Sequence, residues 1–340
     1  MKNCALCLEK EANDTGSHIV PHFLLKRIFN VANAKGRDQE LSFKLTAYDV
    51  ETHFGRGVNP DKLDEVFGEL TDEELEEKAI AQMVVDNEWC TLCEKKFAIL
   101  ESAYAETLKT NSEGIYQSTD QASMAFMFWL SIFWRASITA NAGFSLKFND
   151  QKTARILLHD YDPTSANEGF AGKHEHALSN VSYKVYRCPE YSKKRGTFLY
   201  MAHQTQPYSF LVDEFVIQMY FQAKHKKNSN QLFFGFEKIN DASFNSFSQG
   251  ESVRGLSEGA FGSTMGNFVE FYKTIRLKVY DNLLNKVHNK FGIRGTMDSA
   301  IKDEILGQVT ADNTKLGRKY TMEDFVKCTI TVLKKYGLSS

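Results

Sequence analysis

The sequence has no long hydrophobic run. Its most apolar segment extends from Met124 to Trp134, contains Ser131 and ends against Arg135. A helix that crosses a membrane needs about 20 predominantly apolar residues, so this segment predicts a buried, central helix of a soluble globular protein. Arg135 then either pairs with an internal carboxylate, which we favour, or faces a ligand.

The sequence also lacks a strong net charge, which is only −2. Proteins that bind nucleic acid without help draw most of their non-specific affinity from neutralising phosphates. A near-neutral chain that acts on nucleic acid is therefore expected to depend on a protein partner or on homo-oligomers for targeting. No apolar core follows the N-terminal residues, so we expect no signal peptide and no membrane association.

Cysteine is scarce, with six residues in the chain. Four of them form two pairs of identical spacing, Cys4 with Cys7 and Cys90 with Cys93. A C-x-x-C pair holds two thiolates at the separation that tetrahedral zinc requires, and two pairs complete a structural Zn2+ site. The alternative is two unrelated buried pairs, because a free cysteine often behaves as a small hydrophobe. The low number of cysteines fits a reducing, cytoplasmic compartment.

The segment between the two pairs reads Ser17-His18-Ile19-Val20-Pro21, and Glu94 directly follows the last cysteine. In order and spacing these blocks resemble the zinc-containing form of the HNH nucleases, also called ββα-metal or His-Me finger nucleases. The resemblance covers roughly residues 1–105, less an insertion. It implies an endonuclease that hydrolyses phosphodiester bonds of nucleic acid, DNA before RNA, with catalytic Mg2+ or Mn2+. It also suggests bacterial anti-phage defence as a setting.

Two positions depart from the pattern of the family. Ser17 stands where an acidic residue or histidine is usual, and Glu94 stands where histidine or asparagine is usual. The chain is similar to a subset that reads S-H-x-x-P with C-x-x-C-E. In that case His18 is the general base, and Glu94 is an oxygen ligand for the hard divalent ion. Glu101, two turns further along, could assist, although a solvated carboxylate is the commoner explanation.

The alternative to an active enzyme is a degenerate finger that serves as a zinc-stapled interaction or nucleic-acid-binding module. Basic residues interleaved with tyrosines are typical of a nucleic-acid groove, but also of a solvated strand or loop. The candidate contacts are His22, Lys184, Arg187, Lys193, Lys194 and Arg195.

The chain is predicted to be α+β with two domains. Residues 1–110 would form the HNH-like module with an insertion at about 30–80, and residues 111–340 a domain that recognises substrate or a partner. Helical spacing of apolar residues predicts the metal-bearing helix from Trp89 to about Thr110. Alternating aromatic and polar residues predict strands between Val181 and Gln218 and at 231–236. Helices are predicted again near 267–291 and 322–336.

Overall fold

Helices and strands both contribute to the protein, which confirms the mixed α+β class. The structure is a computed structural model, and it describes residues 2–29, 41–45, 50–54, 71, 83–108, 115–117, 121–139, 142, 144–189, 191, 199–201, 207–228, 241–290, 295–316 and 322–338. The predicted strand at 231–236 lies outside the described residues.

The chain divides into two units. Met1–Ala34 and Ala81–Asn267 form the first, and Lys35–Ile80 and Phe268–Ser340 form the second. The insertion expected at about 30–80 corresponds largely to the segment that interrupts the first unit. The boundary expected after residue 110 falls inside the first unit, because the helices before and after it share one hydrophobic core.

A short antiparallel ladder followed by a helix forms the N-terminal part of the first unit. Strand β1, Ser17–His18, pairs with β4, Val84–Val85. Helix α1, His22–Phe29, follows β1, and helix α2, Thr91–Thr107, follows β4. Cys90 offers no side-chain cap to α2. The side-chain oxygen of Asn13 instead accepts a hydrogen bond of 3.3 Å from the backbone amide of Thr91, which satisfies one of the open amides of the first turn.

Helix α3, Ala122–Ile138, is the buried central helix that the apolar run predicts, and its residues from Ala125 to Ala136 are all buried. It packs against α2 and against α4, Phe148–Asp160. The rings of Tyr104 and Phe128 stack with centroids 4.1 Å apart and planes 7° apart. Burying a large apolar side chain contributes about 1.5–3 kcal/mol to stability relative to leaving it exposed. The stacked rings therefore help to hold α2 and α3 together. Two short helices follow, α5, Phe170–Lys173, and α6, Glu175–Asn180.

A six-stranded sheet completes the first unit. Its strands are β5, Ile115–Gln117; β6, Ser182–Arg187; β7, Leu199–Met201; β8, Tyr208–Val212; β9, Phe215–Tyr220; and β10, Ser252–Gly255. The spatial order is β5-β10-β6-β9-β8-β7, and β10 with β6 is its parallel pair. One face, which includes Val185 and Ile217, joins the core around α3. The opposite face, which includes Tyr186 and Val216, packs with Phe261.

The second unit has its own small core. Helix α7, Glu258–Lys290, starts in the first unit's part of the chain and continues into the second unit, which also contains α8, Ser299–Leu316, and α9, Met322–Lys335. Strands β2, Leu41–Leu45, and β3, Val50–Phe54, form an antiparallel hairpin. The core includes Leu284, Met297, Ile305, Phe325 and Leu333. The helices predicted near 267–291 and 322–336 are thus confirmed. In the described part of the chain, no helix combines the length and apolarity that a membrane span requires.

Candidate functional site

The four paired cysteines meet in space, as their spacing predicts. One ligand atom from each, the Sγ, lies within 4.8 Å of the other three, and none of the four is in a disulfide. Tetrahedral zinc with Zn–S bonds of about 2.3 Å requires sulfurs about 3.8 Å apart. The cluster therefore fits a metal ion such as zinc. These residues are Cys4, Cys7, Cys90 and Cys93.

Backbone hydrogen bonds bring the two cysteine pairs together, although the pairs are far apart in sequence. The amide of Leu8 donates to the carbonyl of Cys4 at 2.9 Å and closes the first turn. Leu8 itself has φ 64°, in the left-handed region. The amide of Ala5 donates to the carbonyl of Glu88 at 2.9 Å, so the turn after Cys4 is attached to the segment that leads into Cys90. These backbone hydrogen bonds therefore hold the two cysteine pairs close to each other.

Electrostatics within the cluster favours one thiolate. A hydrogen bond from the Cys93 thiol, helped by backbone amides, lowers the pKa of Cys4 to about 4 although burial opposes it. The hydrogen bond with Cys4 and then burial raise the pKa of Cys93. A thiol donating to a thiolate stabilises the charged partner and its own neutral form. Binding of a dication by all four sulfurs would therefore release protons.

His18 lies on β1, and 8 % of its surface is exposed. Its carbonyl accepts a hydrogen bond of 2.7 Å from Nη1 of Arg135. The next amide, that of Ile19, donates to the carbonyl of Met83 at 2.8 Å. The imidazole ring of His18 lies edge-on to that of His22, with centroids 5.5 Å apart. The structure thus brings two predicted site residues, His18 and His22, together.

Glu94 lies in the first turn of α2, while the hydroxyl of Ser17 on β1 donates to Oδ1 of Asp14 at 3.4 Å. One carboxylate oxygen of Glu94, Oε2, is buried and accepts no hydrogen bond. Burial raises the pKa of Glu94, the charge of Arg135 opposes this, and the nearby carboxylates of Glu101 and Asp14 add to the rise. The carboxylates of Glu101 and Asp14 thus lie near that of Glu94, and the buried guanidinium of Arg135 is the cation that the structure places beside Glu94 and Glu101.

Arg135 has the internal carboxylate partner that we favoured. Its Nη1 lies 2.7 Å from Oε1 of Glu101, and its side chain is fully buried. The guanidinium also lies over the ring of Phe97, 4.8 Å from the centroid. The carboxylate of Glu101 is therefore part of an ion pair rather than the solvated group that was the commoner explanation.

The structure separates two predicted nucleic-acid contacts from this site. Lys184 is buried, and its ammonium lies 4.5 Å above the ring of Phe244. Arg187 is buried and its Nε donates to Glu214 at 2.6 Å. An ion pair with Glu214 and a cation–π contact with Phe244 already engage these two cations inside the protein, so neither residue supports the groove interpretation. The other members of that set, Lys193, Lys194 and Arg195, lie outside the described residues.

Sequence reasoning missed Asp14. Its Oδ1 accepts a hydrogen bond of 3.4 Å from the hydroxyl of Ser17. Its backbone is bonded to the segment that follows β4: its amide donates to the carbonyl of Trp89, and its carbonyl accepts from the amide of Asn87. Asn87 adopts φ 57° there. An acidic residue three positions before Ser17 is the one sequence signal that could have pointed to it.

Comparison of the chain with protein-family models, with curated proteins and with solved structures gave no match in any of the three. The resemblance to HNH nucleases thus stays a prediction that rests on the motifs. Within the described ranges, the cysteine cluster is the group of three or more His, Cys, Asp or Glu side chains close enough to hold a metal ion.

Proposed function

We propose that this protein is a metal-dependent endonuclease of HNH type that hydrolyses phosphodiester bonds of nucleic acid, DNA before RNA. The observation that carries the proposal is the arrangement of the N-terminal part. A two-stranded ladder with Ser17 and His18 is followed by a helix whose first turn bears Glu94. The hydroxyl of Ser17 donates to Asp14, which precedes the strand, and four cysteines from the segments before β1 and after β4 lie together.

His18 is the general base in this proposal. A neutral imidazole accepts the proton of the attacking water as the water approaches phosphorus, and this typically contributes a factor of about 100 to 10,000 in rate. The surroundings of His18 are largely desolvated, which strengthens electrostatic interactions at the reacting phosphate. His22, whose ring lies edge-on to that of His18, would in this proposal donate a hydrogen bond to a phosphate oxygen.

The proposed metals have separate sites and separate roles. The thiolates of the cysteine cluster would hold a structural Zn2+, which contributes to folding. The carboxylate of Glu94 would hold Mg2+ or Mn2+, which neutralises charge on the phosphate and on the leaving oxygen. Asp14, which accepts a hydrogen bond from Ser17, would add negative charge near this carboxylate, whereas the charge of Glu101 is paired with Arg135.

One observation favours a second candidate, a catalytically inactive zinc-stapled interaction or nucleic-acid-binding module. Ser17 is a poor metal ligand, and in the described part of the chain no carboxylate or histidine group of three comes as close together as the cysteines. In this alternative the negative charge of Glu94, in the first turn of α2, balances the positive charge of Arg135 and the positive end of the helix dipole.

Cleavage assays separate the two candidates. Purified protein is incubated with supercoiled and linear DNA, single-stranded DNA and RNA, with Mg2+, Mn2+ or EDTA. We expect divalent-dependent cleavage that His18→Ala abolishes while zinc content and the circular dichroism spectrum stay unchanged. His176→Ala, at an exposed histidine of the same unit, is the matched control. Absence of divalent-dependent cleavage by the wild type on every substrate supports the inactive module instead.

A further inference from the structure

Arg135 connects the candidate active site to a helix outside the region of HNH resemblance. It lies in the last turn of α3, and none of its surface is exposed. A single nitrogen, Nη1, donates to the His18 carbonyl at 2.7 Å and lies 2.7 Å from Oε1 of Glu101. Its Nη2 lies 3.4 Å from the hydroxyl of Ser131, one turn earlier.

These contacts fix β1 relative to α2. The ladder between β1 and β4 has two residue pairs, and so short a ladder is marginal without further packing. The guanidinium adds a charge-assisted hydrogen bond to the strand and an ion pair to the helix that carries Glu94. Because a guanidinium is planar and rigid, it holds its two partners in a defined geometry. Removing it changes where the His18 imidazole lies relative to Glu94.

We propose that Arg135 is a positioning residue: it holds the backbone of His18 against Glu101 on α2, so that the imidazole of His18 and the carboxylate of Glu94 keep their relative placement. The proposal rests on the proposed nuclease function. Arg135 is fully buried and does not itself touch substrate. Since a misplacement of about 1 Å can reduce turnover about 100-fold, loss of Arg135 acts on kcat more than on KM.

The test uses the full chain with four variants. Arg135→Met/Glu101→Gln removes the ion pair without leaving a buried charge, and Glu101→Gln alone is its reference. Arg135→Lys keeps a cation with a different donor geometry. Arg254→Met is the matched control, because the guanidinium of Arg254 also forms an ion pair within the same unit, with Asp241 at 3.0 Å, and belongs to β10 rather than to the N-terminal part.

We expect a loss of about 100-fold in kcat for the double variant with KM and zinc content nearly unchanged. We expect partial rescue in Arg135→Lys and wild-type kinetics in Arg254→Met. A folded double variant with the kcat of Glu101→Gln would overturn the proposal. If the double variant does not fold, Arg135→Lys decides: an unchanged kcat and pH profile refute a positioning role.

Failure of the proposed nuclease function is distinguished from failure of the positioning proposal, because in the first case the wild type cleaves no substrate. The imidazole resonances of His18, assigned by their loss in His18→Ala, are in that case followed by NMR during a pH titration. A displaced or broadened His18 signal in the double variant, but not in Arg254→Met, supports positioning. An unchanged signal refutes it.

Discussion

The phenol of Tyr104 on α2 donates a hydrogen bond of 2.7 Å to the buried carboxylate of Glu251, which directly precedes β10. Tyr183 on β6 donates to the same carboxylate at 2.6 Å, and the indole of Trp129 on α3 donates at 3.0 Å. One carboxylate thus joins both helices to the sheet. Burial first, and then the charge of Glu251, raise the pKa of Tyr104 and of Tyr183, so both phenols stay protonated donors.

Replacing Glu251 by alanine is expected to lower the free energy of unfolding by about 3–5 kcal/mol, because three buried donors lose their acceptor. Glu251→Gln keeps an acceptor oxygen and should cost less than half as much. Urea unfolding followed by circular dichroism measures both. Glu175→Ala, at an exposed site, is the control and should stay within about 0.5 kcal/mol of the wild type. Equal stability of Glu251→Ala and wild type would contradict the network.

Cys90→Ser is expected to lose the bound zinc and to destabilise the first unit, because structural zinc contributes to folding only when its ligand set is complete. Elemental analysis of freshly purified protein should find zinc in the wild type and little in the variant. Trp89, adjacent to the cluster and buried, provides a fluorescence signal for the change. Cys328→Ser replaces a buried cysteine outside the cluster and should retain zinc. Wild-type protein purified without zinc would count against the site.

Glu94→Gln keeps the shape of the side chain but removes its negative charge. Affinity for Mn2+ and cleavage should fall together, and excess Mn2+ should restore part of the activity by mass action. Titration of Mn2+ against wild type and variant, with binding and cleavage measured on the same samples, tests this. Glu106→Gln, at an exposed position of the same helix, should behave as wild type. Equal Mn2+ affinity of Glu94→Gln and wild type would rule out Glu94 as a ligand.

The lowered pKa of Asp160 predicts that this residue contributes to stability in a pH-dependent way. Burial alone would raise its pKa, but hydrogen bonds from Lys173 and His159 lower it to about 2, from 3.8. A carboxylate whose pKa is depressed in the folded state stabilises that state above about pH 3.8, and this contribution is lost as the pH falls towards 2. Because 65 % of the Lys173 side chain is exposed and solvent screens this pair, we expect no more than about 1 kcal/mol.

The stability difference between wild type and Asp160→Asn should therefore be full at pH 6 and should shrink between about pH 4 and pH 2. Thermal melts across this range measure it, with Glu168→Gln, at an exposed carboxylate nearby in sequence, as control. A difference that is constant from pH 6 to pH 2.5 would show that the hydrogen bonds of Asp160 do not depend on its charge.

Local spacing was enough to predict several parts of this protein. A C-x-x-C pair places two sulfurs close together whatever surrounds it, so the two pairs indicated a four-thiol cluster before any fold was known. The apolar run from Met124 to Trp134 predicted a buried central helix, because a helix that is apolar on every side needs cover on every side. The spacing within each cysteine pair and the apolarity of the run depend on residues close in sequence, and the structure bears out both the cluster and the helix.

Contacts between distant segments were decided by tertiary packing alone. Which carboxylate pairs with Arg135 depends on how α2 and α3 pack, and in the structure it is that of Glu101. Lys184 and Arg187 read as exposed cations in sequence, but the sheet is covered on both faces and buries them. The domain boundary expected after residue 110 lies inside the first unit, because the rings of Tyr104, before it, and Phe128, after it, stack on each other. Periodicity reports which face of a segment is apolar, whereas the partner of that face is set by the whole fold.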